Sequence, residues 1–150
     1  MELSEEFEIS APRSKVYEAL NDVDTLKYCI PGCTELVRGE DGALLAKVVL
    51  KIGPVKATFA GEVYIDNANG PSSMSLEGKG SGGVAGFANG GATVDLVENA
   101  ECTTLRYVTK VNVGGKLARL GSRLIVSTAR KLSAQFFSNL KVAITEATDV

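Results

Sequence analysis

A chain of 150 residues that is 45% hydrophobic and 23% charged can bury one sizeable core, and its net charge of −2 provides no basic field for nucleic acid. It contains no histidine and no tryptophan, which removes the commonest general base and metal ligand, and its three cysteines lack metal-ligand spacing and point to a reducing compartment. The acidic start, Met1-Glu2-Leu3-Ser4-Glu5-Glu6, does not read as a signal peptide, and no stretch approaches the roughly 20 apolar residues of a membrane-spanning helix.

In chain order, Leu3, Phe7 and Ile9 alternate with Glu6 and Glu8, which predicts a half-buried strand from Leu3 to Ser10. Pro12 sits where a first helical turn accepts proline, and Val16, Tyr17, Ala19 and Leu20 supply that helix with an apolar side. Asn21-Asp22 ends it. Asp24 is the expected cap of a second short helix through Leu26 to Ile30, stopped by Pro31-Gly32-Cys33. Strands are then predicted near Thr34 to Arg38, Ala43 to Ile52, Val55 to Ile65, Ser72 to Lys79, Phe87 to Val97 and Thr103 to Val113. Glycine, proline, Asn and Asp fill each gap, and short gaps between alternating strands make an antiparallel meander.

Alternation also assigns faces. Ala46, Val48, Leu50 and Ile52 point inward, as do Ala57, Phe59, Gly61, Val63 and Ile65, then Met74, Leu76, Gly78 and Gly80. Ala88, Gly90, Ala92, Val94 and Leu96 follow, then Leu105, Tyr107, Thr109, Val111 and Val113. A long uninterrupted helix is predicted from about Lys116 to Ile144, about 40 Å at 1.5 Å per residue. Ile125, Ala129, Leu132, Phe136, Leu140 and Ala143 form its apolar stripe, which Leu117, Leu120 and Leu124 extend. The expected architecture is α+β: one domain over residues 1–150, with a seven-stranded antiparallel sheet wrapped around the long C-terminal helix and two short helices between strands 1 and 2.

That order resembles the helix-grip fold of the START/Bet v 1-like (SRPBCC) superfamily. The resemblance is closer than fold. Phe7-Glu8-Ile9-Ser10-Ala11-Pro12, Tyr28-Cys29-Ile30-Pro31-Gly32-Cys33, Ile52-Gly53-Pro54-Val55, Gly114-Gly115-Lys116-Leu117-Ala118-Arg119-Leu120-Gly121 and Gln135-Phe136-Phe137 together resemble the CoxG family of carbon monoxide dehydrogenase subunits. The resemblance implies a setting beside a molybdenum-containing CO dehydrogenase, or a related molybdenum hydroxylase, and a role in tying that enzyme to the membrane respiratory chain. Many members carry a further apolar C-terminal tail. The sequence to Val150 does not include one, so either a tail is lost or membrane contact is made by other residues.

The inward rows contain no Asp, Glu, Lys, Arg or His, and their polar groups are Tyr107 and Thr109, so a non-catalytic protein is expected. The superfamily's hydrolases and cyclases make an enzyme a weaker alternative. Cys29, Cys33 and Cys102 read as small apolar fillers or incidental thiols. The inward Gly and Ala residues leave two readings: the helix packs tightly against them, or a cavity lies there, lined by Phe59, Met74, Leu76, Leu105, Tyr107, Thr109, Leu117, Leu120 and Leu124. Family resemblance favours the cavity. Its implied cargo is a lipophilic small molecule, a respiratory quinone (menaquinone or ubiquinone), with Tyr107 or Thr109 donating to a quinone carbonyl.

The turns sort by charge. One end of the meander holds Glu40-Asp41, Asp66 and Glu98 to Glu101; the other holds glycine-rich turns with Lys51, Lys56, Lys79, Lys110, Lys116 and Arg119 nearby. In a helix-grip fold that basic end is where a mouth is expected. Ile52, Val55, Lys56, Val84, Phe87, Lys116 and Arg119 would then face a membrane or partner, giving a cytoplasmic protein peripheral at the inner face of the cell membrane. The alternative is a membrane-recruitment or assembly module for CO dehydrogenase with no physiological ligand.

Overall fold

The computed structural model describes residues 1–148, with side chains to Thr145. Residues 149 and 150 of the expected domain lie outside the described residues. The elements run β1 (Glu2–Ile9), α1 (Arg13–Leu20), α2 (Val23–Cys29), β2 (Cys33–Arg38), β3 (Leu44–Ile52), β4 (Val55–Asp66), β5 (Ser73–Ser81), β6 (Phe87–Asn99), β7 (Cys102–Gly114) and α3 (Ser122–Thr148), with short 3-10 segments at Gly83–Ala85 and Gly115–Leu120. The strands form one antiparallel sheet in the order β1-β7-β6-β5-β4-β3-β2. This is the expected helix-grip architecture.

Two local expectations are corrected. Asp22, not Asp24, caps α2: its carboxylate accepts from the Thr25 amide at 3.0 Å and the Thr25 hydroxyl at 2.6 Å. The long helix is also shorter than its apolar spacing suggests. Lys116 to Leu120 form a 3-10 segment, and Gly121, at φ 89° and ψ 149°, takes a backbone conformation essentially reserved for glycine before α3 begins. Leu117 and Leu120, three apart, share a face of a 3-10 turn as readily as of an α-helix, so periodicity does not reveal the break.

The core is divided. At the acidic end, Leu3, Ile9, Val16, Leu20, Met74, Val94, Leu96, Leu105 and Tyr107 enclose Phe137, Leu140 and Ile144 from the second half of α3. The innermost residues there are Phe137 and Ile144 rather than the expected Phe136 and Ala143, because a 3.6-residue helix drifts around its axis along its length. α1 and α2 close this end. Thr103 donates to the Ala11 carbonyl at 2.7 Å, Asn67 to Asn21 at 2.8 Å, and Asn139 of α3 to the Cys29 carbonyl at 3.1 Å. A smaller cluster of Leu26, Leu36 and Leu44 seals the β2 side. At the basic end Ile52, Leu117 and Ile125 form a third cluster, edged by Leu50, Val55, Phe59, Leu120 and Leu124.

Candidate functional site

Between the clusters, the sheet and α3 separate. Val48, Ala57, Leu76, Ala88, Val111 and Leu132 face inward, are only half-buried, and belong to none of the three clusters. The principal backbone approaches of α3 are to α1, α2, β1, β3 and the Gly115–Leu120 segment, rather than to the central strands β4 to β6. The inner glycines locate the gap. A Cβ on Gly90 would strike the Lys110 carbonyl at 2.3 Å, so the neighbouring strand requires glycine there. A Cβ on Gly78 would meet only the Glu62 carbonyl and Val63 Cγ2, both at 3.6 Å, and one on Gly80 only atoms of β4. No atom of α3 comes within 4 Å of either. The close approach expected at the inward glycines therefore comes, at Gly90, from the adjacent strand; above Gly78 and Gly80 α3 makes no contact within 4 Å of where a Cβ would stand.

The expected cavity residues divide accordingly. Phe59, Leu76, Thr109, Leu120 and Leu124 keep part of their surface accessible. Leu105 is fully buried and presents no surface to a hollow, and Met74 at 4% and Leu117 at 2% exposure are packed into the end clusters. Tyr107 sits where the packed end meets the hollow. Its ring stacks with Phe7 and Phe137, at centroid distances of 6.3 and 5.7 Å.

The polar groups correct the sequence reading in two ways. First, the interior is not free of ionisable side chains. Glu5 lies on the inner face of β1, opposite Tyr107 in register, and accepts a hydrogen bond from its hydroxyl. Apart from residues at exposed strand ends, it is the one charged residue of the inner rows among the described residues. The alternation Leu3, Glu5, Phe7, Ile9 places it there, in contrast to Glu6 and Glu8, which face outward as expected. On α3, Ser133 and the Arg130 charge act in the opposite sense to Glu5 and favour the ionised phenol. Burial, then the bond to Glu5, pushes the phenol up to about 12, so it keeps its proton at neutral pH. Second, the expected donors are engaged. Tyr107 donates to Glu5, and Thr109 donates to the Gly91 carbonyl at 2.8 Å. Neither hydroxyl proton is left for a ligand carbonyl.

Burial pushes the Cys29 thiol up to about 11, which makes it an inert core group. No group of three or more His, Cys, Asp or Glu side chains that could hold a metal ion occurs among the described residues.

At the basic end Ile52 is buried in the third cluster and Val55 is half-buried against it, so neither projects outward as expected. Val84 projects most, at 85% exposure, from the Gly83–Ala85 turn. That turn is held down by glycines: a Cβ on Gly86 would strike the Gly114 carbonyl at 2.1 Å, and one on Gly115 would meet Gly86 Cα at 2.7 Å. Lys56, Lys116 and Arg119 are exposed, and Lys51 and Lys56 face each other across the β3–β4 hairpin. Lys79 is paired with Glu62 at 3.8 Å. Phe87 lies over Gly114 and borders a groove of about 690 Å³ on the sheet's outer face, with Val37, Leu45, Lys47, Ala60 and Glu62. Nothing in the alternation pattern announces this groove, since it depends on sheet curvature. No helix among the described residues is long and apolar enough to cross a membrane.

Residues 6–145 match the family model for CoxG, a subunit of carbon monoxide dehydrogenase. A conserved protein from Geobacillus kaustophilus is similar in structure, with TM-score 0.92 and 28% identity over 98% of this chain and 97% of that one. A START superfamily protein from Mycobacterium smegmatis has TM-score 0.71 and 15% identity over 97% and 98% of the two chains. The Zhui aromatase/cyclase from Streptomyces sp. R1128 has TM-score 0.69 and 13% identity over 99% and 95%. These last two likenesses show the fold. No curated protein matches the sequence.

Proposed function

Since the chain belongs to the CoxG family of carbon monoxide dehydrogenase subunits, we propose that it is a non-catalytic carrier which takes a respiratory quinone into the hollow between α3 and the sheet and couples a molybdenum CO dehydrogenase, or a related molybdenum hydroxylase, to the membrane electron-transport chain. The observation that carries this reading is the gap above Gly78 and Gly80, walled by half-buried apolar side chains. Such surface is stabilised by contact with a lipophilic molecule, whereas filling it with water gains little. The isoprenoid tail runs between Leu76, Leu120, Leu124 and Leu132. Uptake parts the small cluster at the basic end, where Val84 meets the bilayer and Lys56, Lys116 and Arg119 contribute about 1 kcal/mol each against anionic lipid. The protein then works at the cytoplasmic face of the cell membrane.

Native mass spectrometry of purified protein mixed with a menaquinone or a ubiquinone tests the reading. A one-to-one adduct is expected, and Leu132→Glu should abolish it while circular dichroism stays unchanged. A protein that remains empty with every quinone tried overturns it.

The outer groove favours a second reading, that of a docking module. Val37, Leu45 and Phe87 are each 40–45% exposed around it, and the pairs Glu35–Lys47 and Glu62–Lys79 border it. As a face for CO dehydrogenase it predicts that Leu45→Glu weakens binding to the enzyme and leaves quinone binding intact. On the docking reading alone, the Leu132 substitution is without effect on recruitment.

A further inference from the structure

We infer that the Thr128 hydroxyl holds the polar head of the cargo, donating to a carbonyl oxygen of the lipophilic molecule lodged between α3 and the sheet. The inference rests on the carrier reading and names the residue that fixes how the cargo sits.

Leu124, Thr128, Leu132 and Phe136 follow one another at steps of four along one side of α3. Both ends of that row are anchored. Leu124 reaches the β3–β4 hairpin, where a Cβ on Gly53 would meet its Cδ2 at 2.8 Å. Phe136 packs against the cluster of Leu26, Leu36 and Leu44 at the opposite end of β3. Thr128 and Leu132 lie between these contacts. Over the same span the inner rows of β3 and β4 present Ala46, Val48, Leu50, Ala57 and Phe59, all half-buried. On β5, the next strand, a Cβ on Gly78 or Gly80 would find no α3 atom within 4 Å. The bracketing therefore sets Thr128 on the helix side of the gap. Its hydroxyl has no hydrogen-bond partner among the described residues. Other hydroxyls of α3 turn back onto the helix: Ser127 donates to the Leu124 carbonyl at 3.1 Å and Thr145 to the Lys141 carbonyl at 2.8 Å. Thr128 makes no such bond. On the facing sheet, Tyr107 and Thr109 spend their protons on Glu5 and on the Gly91 carbonyl. A half-buried hydroxyl with a free proton, set between two leucines, suits a ligand that is apolar along its length and carries an acceptor at one point. A carbonyl entering the gap gives up its bonds to water, and a bond from Thr128 offsets that loss.

The test is titration calorimetry of the full chain with decylubiquinone, comparing Thr128→Val, which keeps the shape and removes the hydroxyl, with Thr128→Ser, which keeps the hydroxyl. The valine variant is expected to bind about tenfold more weakly, and the serine variant less than about threefold. Infrared spectra of the bound quinone should show a carbonyl band lowered from its position in an alkane solvent, and Thr128→Val should return it there. Unchanged affinity in Thr128→Val, or equal losses in the two variants, overturns the assignment to Thr128 and leaves the carrier reading standing. A carbonyl band at the alkane position in the unsubstituted chain does the same. A lowered band that survives Thr128→Val overturns it as well. No binding of the quinone to the unsubstituted chain overturns both readings. Should the valine variant fail to fold, Thr128→Ala takes its place in both measurements.

Discussion

The second half of α3 and its middle are built from similar residues and meet different surroundings. Leu140 is fully buried beneath α1 and the β6–β7 end of the sheet, whereas Leu132, two turns earlier on the same stripe, is half-buried and belongs to no packed cluster. The apolar stripe is continuous in sequence; the protein that covers it is not. Packing saturates the closed end, where Thr103 ties β7 to the loop before α1 and Asn139 ties α3 to α2. The middle exposes the same chemistry to a gap. An apolar surface that the fold does not use for its own stability is best explained by what it receives.

The contrast is broken most directly by truncating one leucine from each region. Leu140→Ala should cost about 2–5 kcal/mol, the range for a fully buried leucine whose surroundings relax only in part. Leu132→Ala should cost under about 1 kcal/mol, because it opens no new cavity. Urea denaturation of the two variants measures both, and equal losses would mean that the middle is packed as tightly as the end. Tyr107 marks the border between the regions and titrates accordingly. Its phenol is raised from the ordinary 10.0 to about 12 by burial and by Glu5. The folded state holds the proton more tightly than the unfolded chain, so the stabilisation is complete below pH 10 and is lost as the pH rises from 10 through about 12. The loss is on the order of 2 kcal/mol. Ultraviolet titration should show a tyrosine ionising late, near unfolding, and Tyr107→Phe should remove that step.

A side chain added to the hollow gives the complementary result. Gly78→Phe adds a Cβ whose only neighbours within 4 Å are ordinary contacts on β4, and directs its ring toward the gap. Stability should change by less than about 1 kcal/mol, while quinone binding falls at least tenfold. The same substitution at Gly90 meets the Lys110 carbonyl at 2.3 Å and should prevent normal folding. Two inward glycines on neighbouring strands thus separate a structural requirement from an empty volume.

The seven strands, their faces and the two short helices are legible in the sequence because alternation and turn residues are local signals. So is the family, through motifs spread along the chain. The looseness between α3 and the central strands is not, since the small inward residues fit a tightly packed helix equally well, and only the absence of α3 atoms within 4 Å of a Gly78 Cβ separates the two. Glu5 has the same parity in β1 as Leu3 and Phe7, and that parity is its one linear signal; an acid ordinarily marks an outward face, as Glu6 and Glu8 do. The engaged state of Thr109 depends on a carbonyl of the adjacent strand, a pairing no linear pattern displays. Alternation points Ile52 inward while its place beside the β3–β4 turn suggests a membrane-facing mouth; the inward reading holds because a cluster with Leu117 and Ile125, from a distant part of the chain, buries it.

The smallest effect sharpens the comparison from the closed end alone. Asp22 holds the start of α2, and α2 is pinned to α3 through Cys29 and Asn139. Bonds from the Thr25 hydroxyl and amide hold the Asp22 carboxyl below its ordinary value of 3.8. A depressed folded-state value means that the cap's contribution is fully present above about pH 4 and disappears as the pH falls through the lower folded value. Asp22→Ala should therefore cost about 1 kcal/mol at pH 7 and progressively less in stronger acid, whereas Asp22→Asn, which keeps an acceptor for the Thr25 amide, should cost less at pH 7. Because α2 supports the packed end and not the gap above Gly78, both substitutions should lower the denaturation midpoint and leave the affinity for the quinone unchanged. If affinity fell in step with stability, the two regions of α3 would be one cooperative unit, and the division between a structural end and a receptive middle would not hold.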